Sequence, residues 1–204
     1  MNKFISYTST LHETMQAWRH DIHRHPELAF EEHRTADKVA ELLTEFGLEV
    51  HRSIGNTGVV GLLRKGSSER SIGLRADMDA LKILEQNTFE YRSVNQGKMH
   101  ACGHDGHTAM LLGAARYLAS EGEFDGTVVF IFQPAEEHGE GARAMIENGL
   151  FERFPVDSVY AIHNYPSLVT GKFAVRAGSI MAAEDNFEIT INRCFTDVTT
   201  SSEI

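Results

Sequence analysis

Four short runs of this sequence carry side chains that can bind a metal ion or move a proton. They are Arg75-Ala-Asp-Met-Asp79, Met99-His-Ala-Cys-Gly-His-Asp-Gly-His107, Gln133-Pro-Ala-Glu-Glu-His138 and His163-Asn-Tyr-Pro166. Taken singly, several have an ordinary structural reading. An Asp-x-Asp after a strand commonly caps a helix or closes a turn. Adjacent glutamates at a helix start commonly serve only its dipole. A single histidine at a strand end, such as His163, is more often a satisfied polar group than a ligand. The His-x-Cys-Gly-His-Asp run is different, because imidazole, thiolate and carboxylate within a few residues form the ligand set of zinc, manganese, cobalt or nickel sites. His20, His23 and His25 also have ligand-like spacing, but they lie at a helix end beside Pro26 and are expected to be structural or peripheral.

Cys102 admits two chemistries. It could be a thiol nucleophile activated by His104 or His100, but cysteine hydrolases need no second cluster of paired glutamates. A structural zinc finger would need more thiols than this chain offers, since Cys102 and Cys194 are its two cysteines. Metal ligation accounts for the most residues. The chemistry that follows is metal-assisted hydrolysis, in which a divalent ion polarises a carbonyl and lowers the pKa of water from about 15.7 towards 7. Such a site also needs a carboxylate that is free of metal, to take a proton from water and hand it to the leaving nitrogen. Two adjacent glutamates suit that division, one facing the metal and the other the water.

Positioning these groups requires a particular scaffold. The spacing of Met15, Trp18 and Ile22 predicts a helix over residues 12–24 that Pro26 stops. Ala36, Val39, Ala40, Leu43 and Phe46 predict a second over residues 31–46, with Gly47 as its terminator. Residues 48–53 and 58–64 read as strands joined at Gly55-Asn56. After them the chain alternates: strand 71–75, helix 107–120, the apolar strand 126–132, helix 141–150 and strand 156–162. Residues 173–175 and 187–191 read as two further strands. The rhythm predicts an α/β fold, with a mostly parallel sheet and helices on both faces. In such sheets ligands bind beyond the carboxyl ends of the strands, which is where three of the four polar runs fall; the fourth lies on the loop leading into helix 107–120.

Composition agrees with a packed enzyme-sized domain. Of 204 residues, 42% are hydrophobic and 24% charged, and the formal net charge is −10. That balance argues against nucleic-acid binding. No apolar run approaches the roughly 18–20 residues of a membrane span, and residues 1–13 lack the apolar core of a secretory signal. With two cysteines, a disulfide framework is excluded, and a reducing cytoplasm is the expected location.

Arg75–Leu81, Met99–His107, Gln133–Glu137 and Ala161–Asn164, together with His23-Arg-His-Pro-Glu27, resemble the motifs of the metal-dependent amidohydrolases. That family includes hippurate hydrolases, N-acyl-amino-acid deacylases and the auxin-conjugate hydrolases. The motifs occur in family order and span the chain to about residue 190. The resemblance implies a zinc-peptidase-like catalytic domain holding two divalent metal ions. It implies Cys102, His104, Glu137 and His163 as ligands, Glu136 as the general base and Asp79 as an acidic residue supporting the cluster from behind. Related peptidases often have histidine where this chain has Asp77, which leaves the role of Asp77 open. The implied reaction is hydrolysis of an N-acyl amino acid, a small-molecule substrate, with dipeptidase or aminopeptidase activity of the same clan, or a non-catalytic pseudoenzyme, as the alternatives.

In family members the strand corresponding to residues 187–191 leads into a Gly-rich, His-containing segment. It opens a smaller lid or dimerisation domain, through which members often form homo-oligomers. The chain then returns with a further histidine ligand. Here residues 192–204 follow instead, Cys194 among them, and they are expected to be an aberrant tail after a catalytic part spanning residues 1–191. On that expectation the catalytic domain is incomplete, the lid is absent and activity is impaired.

Overall fold

In the computed structural model residues 3–181, 187, 189 and 190 are described. Residues 3–164 form one compact unit. Helix α1 (Lys3–Arg24) precedes α2 (His33–Glu45), the strands β1 (Glu49–Ile54), β2 (Gly58–Lys65) and β3 (Ser71–Asp77), and α3 (His104–Ser120). Then come β4 (Gly126–Gln133), the short helices α4 (Gly141–Glu147) and α5 (Leu150–Arg153), and β5 (Ser158–Ala161).

One mixed sheet, in the order β1-β2-β4-β3-β5, runs through the unit. β4, β3 and β5 are parallel to one another, with Asp77 opposite Gln133 and Arg75 opposite Ala161. β1 and β2 form an antiparallel hairpin, and β2 extends the sheet antiparallel to β4. The alternation of β4 explains its continuous apolar run. Val128, Phe130 and Phe132 face a core shared with Trp18, Val39, Leu43, Leu112 and Ala115 of the first three helices. Val129 and Ile131 face the opposite side, against Met145, Leu150 and Phe154. β4 is therefore buried on both faces, as a central strand of such a sheet demands.

The chain moves from β3 to β4 on one side of the sheet, then returns to place β5 on the other side of β3. These opposite steps put α3 on one face and α4–α5 on the other. The carboxyl end of β3 is thus a switch point, where the connections leave in opposite directions and a crevice opens.

Several expectations need correction. The expected helix over residues 141–150 is two helices, broken at Gly149, whose φ of +83° a helix cannot continue through. The first helix begins nine residues earlier than its apolar spacing predicts, at Lys3. Residues 173–175 are not a strand; Phe173 and Val175 are exposed, and a strand exists only with a neighbour to pair with. Of the strand expected over residues 187–191, Phe187, Ile189 and Thr190 are described and are not in a strand. Residues 192–204 lie outside the described residues. The second unit, residues 165–204, contributes turns in its described part, closed by the amides of Leu168 and Lys172 on the carbonyls of Tyr165 and Val169. Among the described residues no helix is long and apolar enough to cross a membrane.

A buried ionic clamp ties α1 to the start of α3. The His23 ring bridges Asp105 Oδ2 at 2.9 Å and Glu85 Oε1 at 3.1 Å, while Arg19 Nε donates to the same Asp105 oxygen at 3.0 Å. Burial works against charging His23, but the hydrogen bonds and charges of Asp105 and Glu85 prevail and raise its pKa above the usual histidine value. A raised folded-state pKa stabilises the fold fully below the unfolded value of about 6.5, and this stabilisation is lost as pH rises through the folded value. Replacing His23 by Gln leaves buried carboxylates short of a partner, at a cost of about 3 kcal/mol or more. In denaturant titrations across pH, the gap between parent and His23→Gln is expected to be widest below about pH 6.5 and to narrow above it. A gap that does not change with pH refutes this account of the clamp.

Candidate metal centre

Each polar run arrives from a different element at the switch point. β3 delivers Asp77 and, after a one-residue step, Asp79, both essentially without solvent exposure. A backbone bridge between Leu81 and Met99 folds the following loop back, so that Cys102 and Gly103 lead directly into α3. That helix begins at His104, three residues earlier than its apolar spacing predicts, so His104 and His107 lie one turn apart on one face. β4 ends at Gln133 and passes through Pro134 and Ala135 to Glu136 and Glu137. β5 ends at Ala161, two residues before His163.

His104 is the centre of the arrangement. Its Nδ1–H donates to the backbone carbonyl of Asp79 at 2.9 Å, with the Asp79 carboxylate 3.3 Å away. A carbonyl oxygen can only accept, so Nδ1 carries a proton and Nε2 is the nitrogen left for a metal. Burial opposes charging the ring, but Asp79, Asp77 and Glu137 raise its pKa above the usual histidine value, so a cation there replaces a proton. That Nε2 is buried and has no hydrogen-bond partner. Around it stand Glu136 Oε2 at 3.6 Å, Glu137 Oε1 at 3.7 Å and Asp77 Oδ2 at 3.7 Å. His163 follows the same rule: Nδ1 donates to the Asn164 carbonyl at 2.7 Å, and Nε2 lies 3.4 Å from Cys102 Sγ.

Two overlapping sets of donor atoms lie within 4.8 Å of one another: Cys102, His104 and Glu137, and Asp77, His104, His107 and His163. The fit to a metal can be judged on two buried atoms that the protein leaves without partners, His104 Nε2 and Glu137 Oε1. Leaving both unpaired costs free energy on the order of 1–3 kcal/mol each, and a cation among them removes that cost. The donor set of thiol, imidazole and carboxylate fits borderline divalent ions. His107 differs from the other two histidines. Its Nδ1 contacts Asp77 Oδ1 at 2.6 Å and its Nε2 contacts the Asn164 side-chain oxygen at 2.5 Å and its backbone nitrogen at 3.0 Å, so both nitrogens are engaged.

The electrostatics point the same way. Burial and the neighbouring charges of Glu137, Glu136 and Asp77 push the Cys102 thiol up to about 12. A thiol so placed is protonated at neutral pH unless a cation stands beside it, which counts against a free thiolate nucleophile. Burial raises the Glu137 pKa, and the charges of Glu136 and Asp79 add to this against the opposing pull of His104. Asp77 is desolvated too, yet the His107 hydrogen bond and the charges of His104 and Arg75 hold its carboxyl well below the usual range. Arg75 is itself anchored, donating to Asp77 Oδ2 at 2.7 Å and Gln133 Oε1 at 2.8 Å.

The structure brings together all six residues singled out in the sequence: Asp79, Cys102, His104, Glu136, Glu137 and His163. It adds two that sequence reasoning left aside. Asp77 joins the donor set and holds His107, and His107 is buried beside it; the His-x-x-His spacing on a helix is the signal that could have found the pair. His23 reaches Asp105 and Glu85 and lies outside the donor set, and His25 Nδ1 donates to the Asp21 carbonyl.

Comparison with known proteins places this geometry. The chain is 53% identical over 173 residues to the hippurate hydrolase of Campylobacter jejuni, covering 85% of this chain and 45% of that protein. It is 46% identical over 178 residues to the N-acyl-L-amino acid amidohydrolase of Geobacillus stearothermophilus, covering 86% and 47% respectively. The chain thus spans about half the length of the curated relatives it matches. Among solved structures, the Bacillus subtilis YXEP protein, described as a dinuclear metal-binding peptidase of the M20 family, superposes with a TM-score of 0.74 at 40% identity, over 78% of this chain and 45% of that one. The model of peptidase family M20/M25/M40 matches residues 73–203, which contain all four polar runs. The chain belongs to peptidase family M20/M25/M40.

Proposed function

We propose that this chain carries the metal centre of a cytoplasmic amidohydrolase that cleaves the amide bond of N-acyl amino acids. The observation that carries the reading is His104 Nε2, buried, unpartnered and ringed at 3.6–3.7 Å by three carboxylates. A buried imidazole nitrogen ringed by carboxylates is a receptor for a divalent cation, which takes the place of its proton. The names of the hippurate hydrolase and N-acyl-L-amino acid amidohydrolase relatives support an N-acyl amino acid as the substrate class.

Cys102, His104, Glu137 and His163 are the residues that would hold two divalent ions of the manganese, zinc, cobalt or nickel type. Bound there, the ions supply polarisation of the amide carbonyl and a lowered pKa for water. Asp79 acts through His104 and Glu137. Its carbonyl fixes the His104 tautomer, and its Oδ2 accepts the Glu137 N–H at 3.0 Å. Glu136 is the most exposed of the carboxylates around His104 Nε2, about one-third open to solvent, and is placed to meet both water and substrate. It takes the proton from water as the water oxygen bonds to the carbonyl carbon. It then gives that proton to the amide nitrogen as the C–N bond breaks, releasing a carboxylate and a free amino acid.

Glu136→Gln is expected to keep its metal and lose about 10²–10⁴-fold in turnover, whereas Glu137→Gln loses metal. Metal analysis paired with hydrolysis of N-acetyl and N-benzoyl amino acids tests both. Loss of metal in Glu136→Gln, with metal retained in Glu137→Gln, exchanges the two roles. Turnover of free dipeptides in preference to N-acyl amino acids moves the substrate class instead.

Cys102 offers an independent check. Metal-loaded protein is expected to resist alkylation at Cys102. After chelation, labelling should be slow at neutral pH and climb about tenfold per pH unit without levelling off by about pH 10, since only the thiolate reacts. Peptide mapping separates Cys102 from Cys194. Equal rates with and without chelator would argue that the thiol is no ligand.

A further inference from the structure

We propose that Glu32, remote in sequence from every polar run, is a positioning residue that sets the Glu136-Glu137 pair. The proposal rests on the reading of that pair as proton carrier and ligand. Glu32 occupies the N-cap of α2, where an acidic side chain ordinarily accepts an N–H of its own helix. It makes no such bond. The side chain instead crosses the core, fully buried, and its Oε1 accepts the Ala135 N–H at 2.8 Å while its Oε2 accepts the Thr57 hydroxyl at 2.5 Å.

Ala135 is where that contact matters. Consecutive residues of an extended strand point to opposite faces, so β4 cannot present two adjacent glutamates to one site without a turn. The turn is made at Ala135, whose φ of +47° lies in the left-handed region that an alanine rarely adopts. The loop is closed around it: the Gly141 N–H donates to the Ala135 carbonyl at 3.0 Å, and a Cβ on Gly141 would overlap the Pro134 carbonyl. Ala135 N–H is the remaining handle, and Glu32 holds it. With the turn in place, Glu136 Oε2 and Glu137 Oε1 both reach His104 Nε2, at 3.6 and 3.7 Å. Glu32 therefore holds the strained residue from which both functional carboxylates hang.

Four variants in the complete protein test this: Glu32→Gln, Glu32→Asp, Glu32→Asp with Ala135→Gly, and Ala135→Gly alone. Gln keeps an acceptor for the Ala135 amide, whereas Asp retracts it by one methylene while keeping the carboxyl group. Metal affinity by calorimetry is expected to fall about 10–100-fold in Glu32→Asp and to stay at the parent value in Glu32→Gln. Amide exchange at Ala135, measured on metal-free protein, is expected to accelerate in the Asp variant alone. Ala135→Gly, free of the left-handed penalty, should recover much of the lost affinity in the Asp background, and kcat should fall with KM unchanged where the turn is lost. Parent-like metal affinity and Ala135 protection in Glu32→Asp overturn the proposal. So does a loss that Glu32→Gln shares and Ala135→Gly leaves untouched, which would mark Glu32 as general packing. Should the parent protein bind no metal, the metal-centre reading fails, while the exchange at Ala135 still decides the role of Glu32.

Discussion

The hydrogen bond from His104 Nδ1–H to the Asp79 carbonyl is the constraint on which the site depends. A neutral imidazole has one donor and one acceptor nitrogen, and which is which is ordinarily a small free-energy choice. Here a main-chain oxygen makes the choice, and main chain cannot rotate away or change protonation. The consequence is that Nε2 is the nitrogen facing a space bordered by Asp77, Glu136 and Glu137, where a cation can take the place of its proton. Asp79 can play this part because it lies two residues past the end of β3, and β3 is the middle strand of the parallel trio. The rigidity of the centre is therefore inherited from the sheet.

That inheritance explains why two layers of residues are needed. Carboxylates taken out of water are costly unless paired or hydrogen-bonded, and four converge here. Asp77 is satisfied by His107 and Arg75, and Asp79 Oδ2 by the Glu137 amide, while Asp79 Oδ1, 3.3 Å from His104 Nδ1, has no hydrogen-bond partner. Asp77 is thus neutralised by the protein itself. Glu137 Oε1 is not, and neither is His104 Nε2. The unsatisfied Glu137 Oε1 and His104 Nε2 face each other where the elements meet. A fold that left all four carboxylates fully paired would have no reason to hold a cation.

Much of this was legible in the sequence, for a physical reason. The apolar run of β4 and the 3.6-residue spacing of α2 and α3 report burial directly, and the strand-like composition of β5 marks it although it is an exposed edge strand, so order and type of the elements through β5 could be read. The polar runs could be read because strand ends are where an α/β sheet exposes backbone and side chains together. What escaped was whatever depends on the neighbour of a residue in space. His104 belongs to the helix because Gly103 adopts a left-handed conformation that opens it, which no periodicity records. The break at Gly149 is a local backbone choice inside an amphipathic pattern. Residues 173–175 have strand-like composition, but a strand is made by its partner. Glu32 is the sharpest case: between helix-forming residues it reads as an N-terminal acid, and only the fold shows it spanning to Ala135, 103 positions away.

The same crowd of carboxylates also decides between the two chemistries that Cys102 could perform. A nucleophilic thiol needs its pKa lowered by a cationic neighbour or a helix N-terminus. Cys102 lies two residues before the first residue of α3, but burial and the charges of Glu137, Glu136 and Asp77 outweigh that position and push the thiol up to about 12. Without a cation the group is inert, and the proposed metal centre would supply that cation. Negative charge that disables covalent catalysis is therefore what makes the place a cation receptor, and the choice needs no contribution from Cys102 itself. It follows from placing two glutamates on one turn after β4, opposite the aspartates that end β3.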